Sequence, residues 1–125
     1  LHLMSLQGLA RAIGKFAETE TEIRDAMLAN PWVVDDRGAS DTLVMEQGML
    51  AKIGAEGVFV IGLASGHGVA VKVADGSMRP AGLSAIKMLL NNNLLDKKIY
   101  DELFAKLTVA SLGGSENLGQ LEVAF

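Results

Sequence analysis

The residues with the most chemical promise lie in one short run, Ala51-Lys52-Ile53-Gly54-Ala55-Glu56-Gly57. A lysine on a strand that leads into small residues leaves open backbone beside a pocket, and glycine lets a substrate approach the main chain closely. An ammonium there can hold a substrate carboxylate or activate a nearby hydroxyl. Glu56, if it faces inward near Lys52, can position an amide or an ammonium group. Taken on spacing alone, the same run also reads as a surface lysine beside two turn glycines, because lysine side chains are mostly exposed.

Other candidates are weaker. Ser84-Ala85-Ile86-Lys87 fits the Ser-x-x-Lys nucleophile motif, in which a lysine one helical turn away takes the serine proton. It follows the predicted hairpin, whereas in the fold that uses the motif the nucleophile helix precedes it, so it is set aside as non-catalytic. His2 and His67 are the two imidazoles and lie far apart in sequence. His67 reads as a polar residue of the turn Ser65-Gly66-His67-Gly68, and Asp75-Gly76-Ser77 reads as a turn. The adjacent carboxylates Asp35 and Asp36 lack the further oxygen ligands a metal needs.

The elements that must position these residues follow from periodicity. Leu6, Leu9, Ala10, Ile13, Phe16 and Ala17 recur at helical steps and predict an amphipathic helix over 5–18. A second helix is expected over 19–29 with Thr21 as its N-cap, ending at Asn30-Pro31 because the residue before proline avoids the helical region. Residues 32–38 read as a loop, and Asp41 reads as the N-cap of a short helix or turn over 42–47. The stretch 49–53 is ambiguous. Residues 58–64 and 69–73, joined by a glycine-rich turn, predict a β-hairpin. Helices are expected from Pro80 to about 91 and over 96–107, and a final strand over 118–125. The order gives an α+β class, with an antiparallel sheet of hairpin plus C-terminal strand flanked by helices.

Bulk properties narrow the function classes. The chain has 125 residues, half of them hydrophobic, with a net charge of −4. That suits one small folded domain or part of a larger one. It gives no electrostatic reason to expect nucleic acid or an anionic membrane surface. No apolar run approaches the ~18 residues of a membrane span, and no secretory leader pattern is visible, so a cytoplasmic setting is the default expectation. With no cysteine, the 125 residues hold no disulfide, thiolate ligand or cysteine nucleophile. The chain opens Leu1-His2-Leu3-Met4-Ser5 rather than with methionine, which we read as a start inside a longer protein.

Three blocks in order are more telling than any single residue. They are Asp41-Thr42-Leu43-Val44-Met45, then Ala51-Lys52-Ile53-Gly54-Ala55-Glu56-Gly57-Val58, then Gly68-Val69-Ala70-Val71-Lys72-Val73-Ala74-Asp75-Gly76 with Arg79 following. With Leu9-Ala10-Arg11-Ala12 near the start and Asn117-Leu118-Gly119-Gln120-Leu121 near the end, this pattern resembles the bacterial type II L-asparaginase family of the Rhizobium etli type. Asn30-Pro31 stands where the family tends to have His-Pro, and Ala39 where it often has Arg.

The resemblance implies a serine β-lactamase-like fold and hydrolysis of asparagine to aspartate and ammonia. It implies that Lys52 is the catalytic lysine of the strand lining the site, with Gly54, Ala55, Glu56 and Gly57 on the substrate side and the strand backbone helping to polarise the scissile carbonyl. It places the family's Ser-x-x-Lys nucleophile region, and a Cys-containing segment associated with a metal site, upstream of Leu1. Residues 1–125 are then the C-terminal part of one asparaginase-like domain. They bind no cofactor or metal themselves, and they are inert alone because acyl transfer needs a nucleophile and a proton acceptor. Alternatives are a non-catalytic binding or assembly module of the same fold, or a glutaminase- or peptidase-like relative. Apolar surface left by a truncated sheet predicts a homo-oligomer.

Overall fold

The computed structural model describes residues 3–125. His2, one of the two candidate imidazoles, lies outside the described residues together with Leu1. The chain runs α1 (Leu6–Thr19), α2 (Thr21–Ala29), α3 (Pro31–Val34), α4 (Ser40–Met45), β1 (Leu50–Gly54), β2 (Val58–Gly62), β3 (Gly68–Lys72), α5 (Arg79–Asn91), α6 (Lys97–Leu107), β4 (Ala110–Gly113) and β5 (Glu116–Gln120). This is an α+β arrangement with an antiparallel sheet flanked by helices.

The main sheet is an antiparallel meander in the order β1-β2-β3. The predicted hairpin is present as β2–β3, with Gly62 opposite Gly68 at its mouth. The ambiguous stretch becomes a third strand, β1, which pairs Lys52 with Val60 and Ile53 with Phe59. The C-terminal strand differs from expectation. It pairs with β4 in a separate two-stranded sheet instead of joining the hairpin. The reason is local: Gly114, at φ 66°, turns the chain back between β4 and β5, so β5 takes its hydrogen bonds from the residues just before it.

Two faces of the main sheet are covered by different helices, which pleating makes possible by sending alternate side chains to opposite sides. Phe59 and Ile61 point one way and pack in the main core with Leu83, Ile86 and Leu89 of α5 and Leu103 of α6, all essentially fully buried. Gly62 and Gly68 point the other way, against α1. A Cβ on Gly68 would collide with the Ala10 carbonyl oxygen, and one on Gly62 would lie 2.9 Å from the Ala17 Cβ. Gly14 of α1 meets the hairpin in the same manner: a Cβ there would lie 2.8 Å from the Gly68 amide nitrogen. Helix and hairpin therefore touch backbone to backbone, a separation that only glycine allows.

Three smaller readings change. Thr21 is the first helical residue of α2, whose cap position is Glu20 and has no side-chain cap bond. Residues 31–34 form a short helix rather than a loop, because Pro31 suits a first helical turn where its missing N–H costs nothing. Asp41 is not a cap. Ala39 holds that position, and Asp41 sits inside the first turn of α4. Where caps do form, Ser5 accepts from the Gly8 N–H at 3.0 Å to start α1, and Asp96 accepts from the Lys98 N–H at 2.8 Å to start α6.

Candidate functional site

The strand that presents Lys52 is one of the two edges of the meander, so among the described residues its outward N–H groups have no partner strand. Asp41 fills that role. Its side chain is completely buried, and Oδ2 accepts from the Ile53 N–H at 3.2 Å and from Lys52 Nζ at 3.0 Å. The other oxygen, Oδ1, accepts from the Thr42 N–H at 3.0 Å. One carboxylate thus joins α4 to the sheet edge and satisfies both of its oxygens, as a buried charge must. Thr42, equally buried, ties the same turn to α3 by donating from Oγ1 to the Asp35 carbonyl at 3.4 Å.

Lys52 behaves differently from its partner. Its side chain is 43% exposed, and Nζ also lies 3.9 Å from Asp35 Oδ2. An ammonium has three N–H donors. One is committed to Asp41, and the exposure leaves the rest able to meet a ligand. Strand pleating directs Lys52 to the same face as Gly62, the face covered by α1. Tethered at one end and open at the other, the side chain is suited to holding a negative or polar group of a bound molecule at a fixed place beside β1.

The rest of the run is arranged around a tight turn. Gly54 faces Val58 across the end of β1–β2, with Ala55, Glu56 and Gly57 between them. Glu56 and Gly57 both adopt left-handed backbone, at φ 58° and 69°. Gly57 is buried, and a Cβ there would lie 2.9 Å from the Val73 Cβ. Its carbonyl accepts from the Val73 N–H at 2.9 Å, which joins the turn to the end of β3. Glu56 is exposed beside Gly76, and the carboxylates paired with Lys52 are Asp41 and Asp35. The structure therefore brings together Lys52, Asp41 and Asp35, and places Glu56 at the adjoining loop tip. The Ile53 N–H, a donor on the edge beside Lys52, is already engaged by Asp41. Sequence reasoning gave Asp41 a capping role and Asp35 a loop role. The signal that links them to Lys52 is the conjunction of the Asp-Thr and Lys-x-Gly blocks.

The other motifs fall elsewhere. Ser84 and Lys87 belong to α5, which packs on α6, β2 and β3, and Lys87 Nζ lies 5.6 Å from the centre of the Tyr100 ring. His67 Nδ1 is 3.0 Å from Ser65 Oγ in the exposed β2–β3 turn. Asp35 and Asp36 each accept from the next residue's N–H, the geometry of a polar loop. Among the described residues no group of three or more His, Asp or Glu side chains is placed to share a metal ion.

An edge lysine clamped by an Asp-Thr block, followed by the Gly-Ala-Glu-Gly turn and the glycine-mouthed hairpin, now has a family to set it against. The family model described as L-asparaginase II matches residues 1–123. The chain belongs to the L-asparaginase II family. Among curated proteins no match is found. The match runs through every element from α1 to β5, so the Lys52 clamp and the hairpin that α1 covers both belong to the matched L-asparaginase II region.

Proposed function

We propose that this chain supplies the lysine-bearing wall of an amidohydrolase site that converts asparagine to aspartate and ammonia. The observation that carries the reading is the Lys52 ammonium, held 3.0 Å from a fully buried carboxylate while its own side chain stays 43% exposed. Membership of the L-asparaginase II family supports the substrate class, a small-molecule amide.

In this reading the nucleophile is a serine from sequence ahead of Leu1, and residues 1–125 are the C-terminal part of the domain, with the β-lactamase-like fold completed by that upstream part. The serine oxygen attacks the carboxamide carbon, its proton passes to a neighbouring base, and ammonia leaves as an ester forms. Water then releases aspartate. Lys52 contributes a fixed positive charge and N–H donors at the substrate, while Gly54, Ala55, Glu56 and Gly57 line the approach. The reading includes a cytoplasmic, homo-oligomeric protein. No helix among the described residues is long and apolar enough to cross a membrane.

The test is ammonia release from asparagine. The 125 residues alone are expected to give none, and the same residues joined to the polypeptide encoded before Leu1 are expected to turn over. Lys52→Ala in the active protein should cut kcat/KM by at least about a hundredfold, comparable with removal of an electrostatic group from a hydrolase site. Turnover by the 125 residues alone, or full activity of Lys52→Ala, would refute the assignment. Preference for glutamine over asparagine would move it to a glutaminase-like relative, and absence of turnover in the joined protein would favour a binding or assembly module.

A further inference from the structure

Asp35 has no assigned part in the chemistry, yet one of its oxygens stands unfilled beside the open donors of Lys52. We infer that Asp35 and Lys52 together form a subsite for the α-ammonium and α-carboxylate of an amino acid, with Asp35 as the residue that demands the ammonium. The inference rests on the amidohydrolase reading and sharpens its substrate class from a small amide to a zwitterionic α-amino acid with a side-chain amide.

The hydrogen-bonding capacity of the two side chains carries it. Asp35 Oδ1 accepts from the Asp36 N–H at 2.8 Å. Oδ2 makes no hydrogen bond among the described residues, since Lys52 Nζ at 3.9 Å lies beyond reach. Lys52 has given one of its three N–H groups to Asp41. Asp41 is fully buried and the Asp35 side chain is 29% exposed, so the open acceptor and the open donors share the outer side of the ammonium. The main chain fixes Asp35 in place: its N–H donates to the Pro31 carbonyl at 3.4 Å, and its own carbonyl accepts from Thr42 Oγ1 at 3.4 Å.

Charge then selects the ligand. A simple anion drawn to Lys52 meets the Asp35 carboxylate, and a simple cation drawn to Asp35 meets the ammonium. With Asp41 included, two carboxylates face one ammonium, so a ligand that brings a carboxylate alone is disfavoured. An α-amino acid carries both groups on one carbon. Its carboxylate suits Lys52 and its ammonium suits Asp35 Oδ2, and no existing hydrogen bond need break. The side-chain amide is left free for the reacting groups.

The test is calorimetric titration of the 125 residues joined to their upstream polypeptide, with L-aspartate and with succinate. These ligands differ only in the α-ammonium and need no turnover. L-Aspartate should bind at least about tenfold more tightly, the scale of a charge-assisted hydrogen bond at a partly exposed site. Asp35→Asn should abolish the preference by weakening aspartate, and Asp35→Glu should recover part of it. Asp36→Asn, which removes the neighbouring exposed charge, should leave it intact. The inference is overturned if aspartate does not bind, if the unchanged protein does not prefer it, if folded Asp35→Asn keeps the preference, or if Asp36→Asn abolishes it as fully. Should Asp35→Asn fail to fold, Asp35→Ser is judged by the same criterion. Preference for aspartate without ammonia release from asparagine would end the amidohydrolase reading and leave this one standing. Ammonia release from succinamate, which lacks the ammonium, as efficient as from asparagine would do the reverse.

Discussion

At the scale of single residues, environment decides what a side chain can do. Lys52 and Lys87 are both lysines that fall in short motifs suggestive of chemistry, but Lys52 meets a buried carboxylate and Lys87 meets the face of an aromatic ring. Tyr100 shows the same principle in its own titration. It stacks on Phe104 with ring centres 5.8 Å apart, and burial, then the charge of Asp101, push its phenol above the ordinary tyrosine range, with Lys97 pulling partly the other way. The fold favours the neutral phenol. Its contribution to stability is therefore complete below the unfolded-state value and is lost as pH rises through the raised folded-state value. Because the chain has a single tyrosine, phenolate absorbance reads this group directly. The expected result is a midpoint above that of the urea-unfolded chain. Coincident midpoints would show that the site does not disfavour the phenolate.

At the scale of elements, the contact of α1 with the β2–β3 hairpin is the one most sensitive to a single methyl group. Gly68→Ala places a Cβ on the Ala10 carbonyl oxygen, and neither helix nor hairpin backbone can yield without opening the contact. The expected cost is at least about 3 kcal/mol, at the upper end for an overpacked interior, measured by urea unfolding. Ser5→Ala, which removes only the α1 cap, should cost about 1 kcal/mol in the same assay. Equal effects would mean that α1 and the hairpin are not in backbone contact. This contact also shows what was legible beforehand. The spacing of Leu6, Leu9, Ile13 and Phe16 gives the helix, and valines around a glycine-rich turn give the hairpin, because local periodicity determines both. That Gly14 lies against Gly62 and Gly68 is a long-range fact with no local signal. For the same reason Lys52 was readable as a candidate, whereas Asp41 was read as a cap: its partners come from α4 and β1, and only the folded edge strand brings them together. Strand β1 was ambiguous because its short apolar run, on periodicity alone, suits a buried helix equally well.

At the scale of the whole molecule, the chain divides into a well-packed body and a thin appendage. Every residue of β4 and β5 is exposed, with Leu112 and Leu118 at 65% and 70%. A two-stranded hairpin of this kind is marginal in water without a surface to lie on. Its ties to the body are few: Leu121 and Val123 pack at the edge of the core, and Asn91 Nδ2 donates to the Phe125 carbonyl at 2.7 Å. Trp32 and Val33 of α3 and Ile23 of α2 add further exposed apolar area. The free hairpin edges and these side chains together favour contact with a second copy, since burying exposed apolar surface is the main gain available to the isolated chain. Sedimentation at micromolar concentration should accordingly find dimers or larger species, and Leu112→Ser with Leu118→Ser should shift the population toward monomer while leaving the far-ultraviolet signal of the helical body intact. Monomers throughout would place the exposed hairpin outside any self-contact, whereas loss of the helical signal in the double variant would show that the hairpin supports the body rather than extending from it.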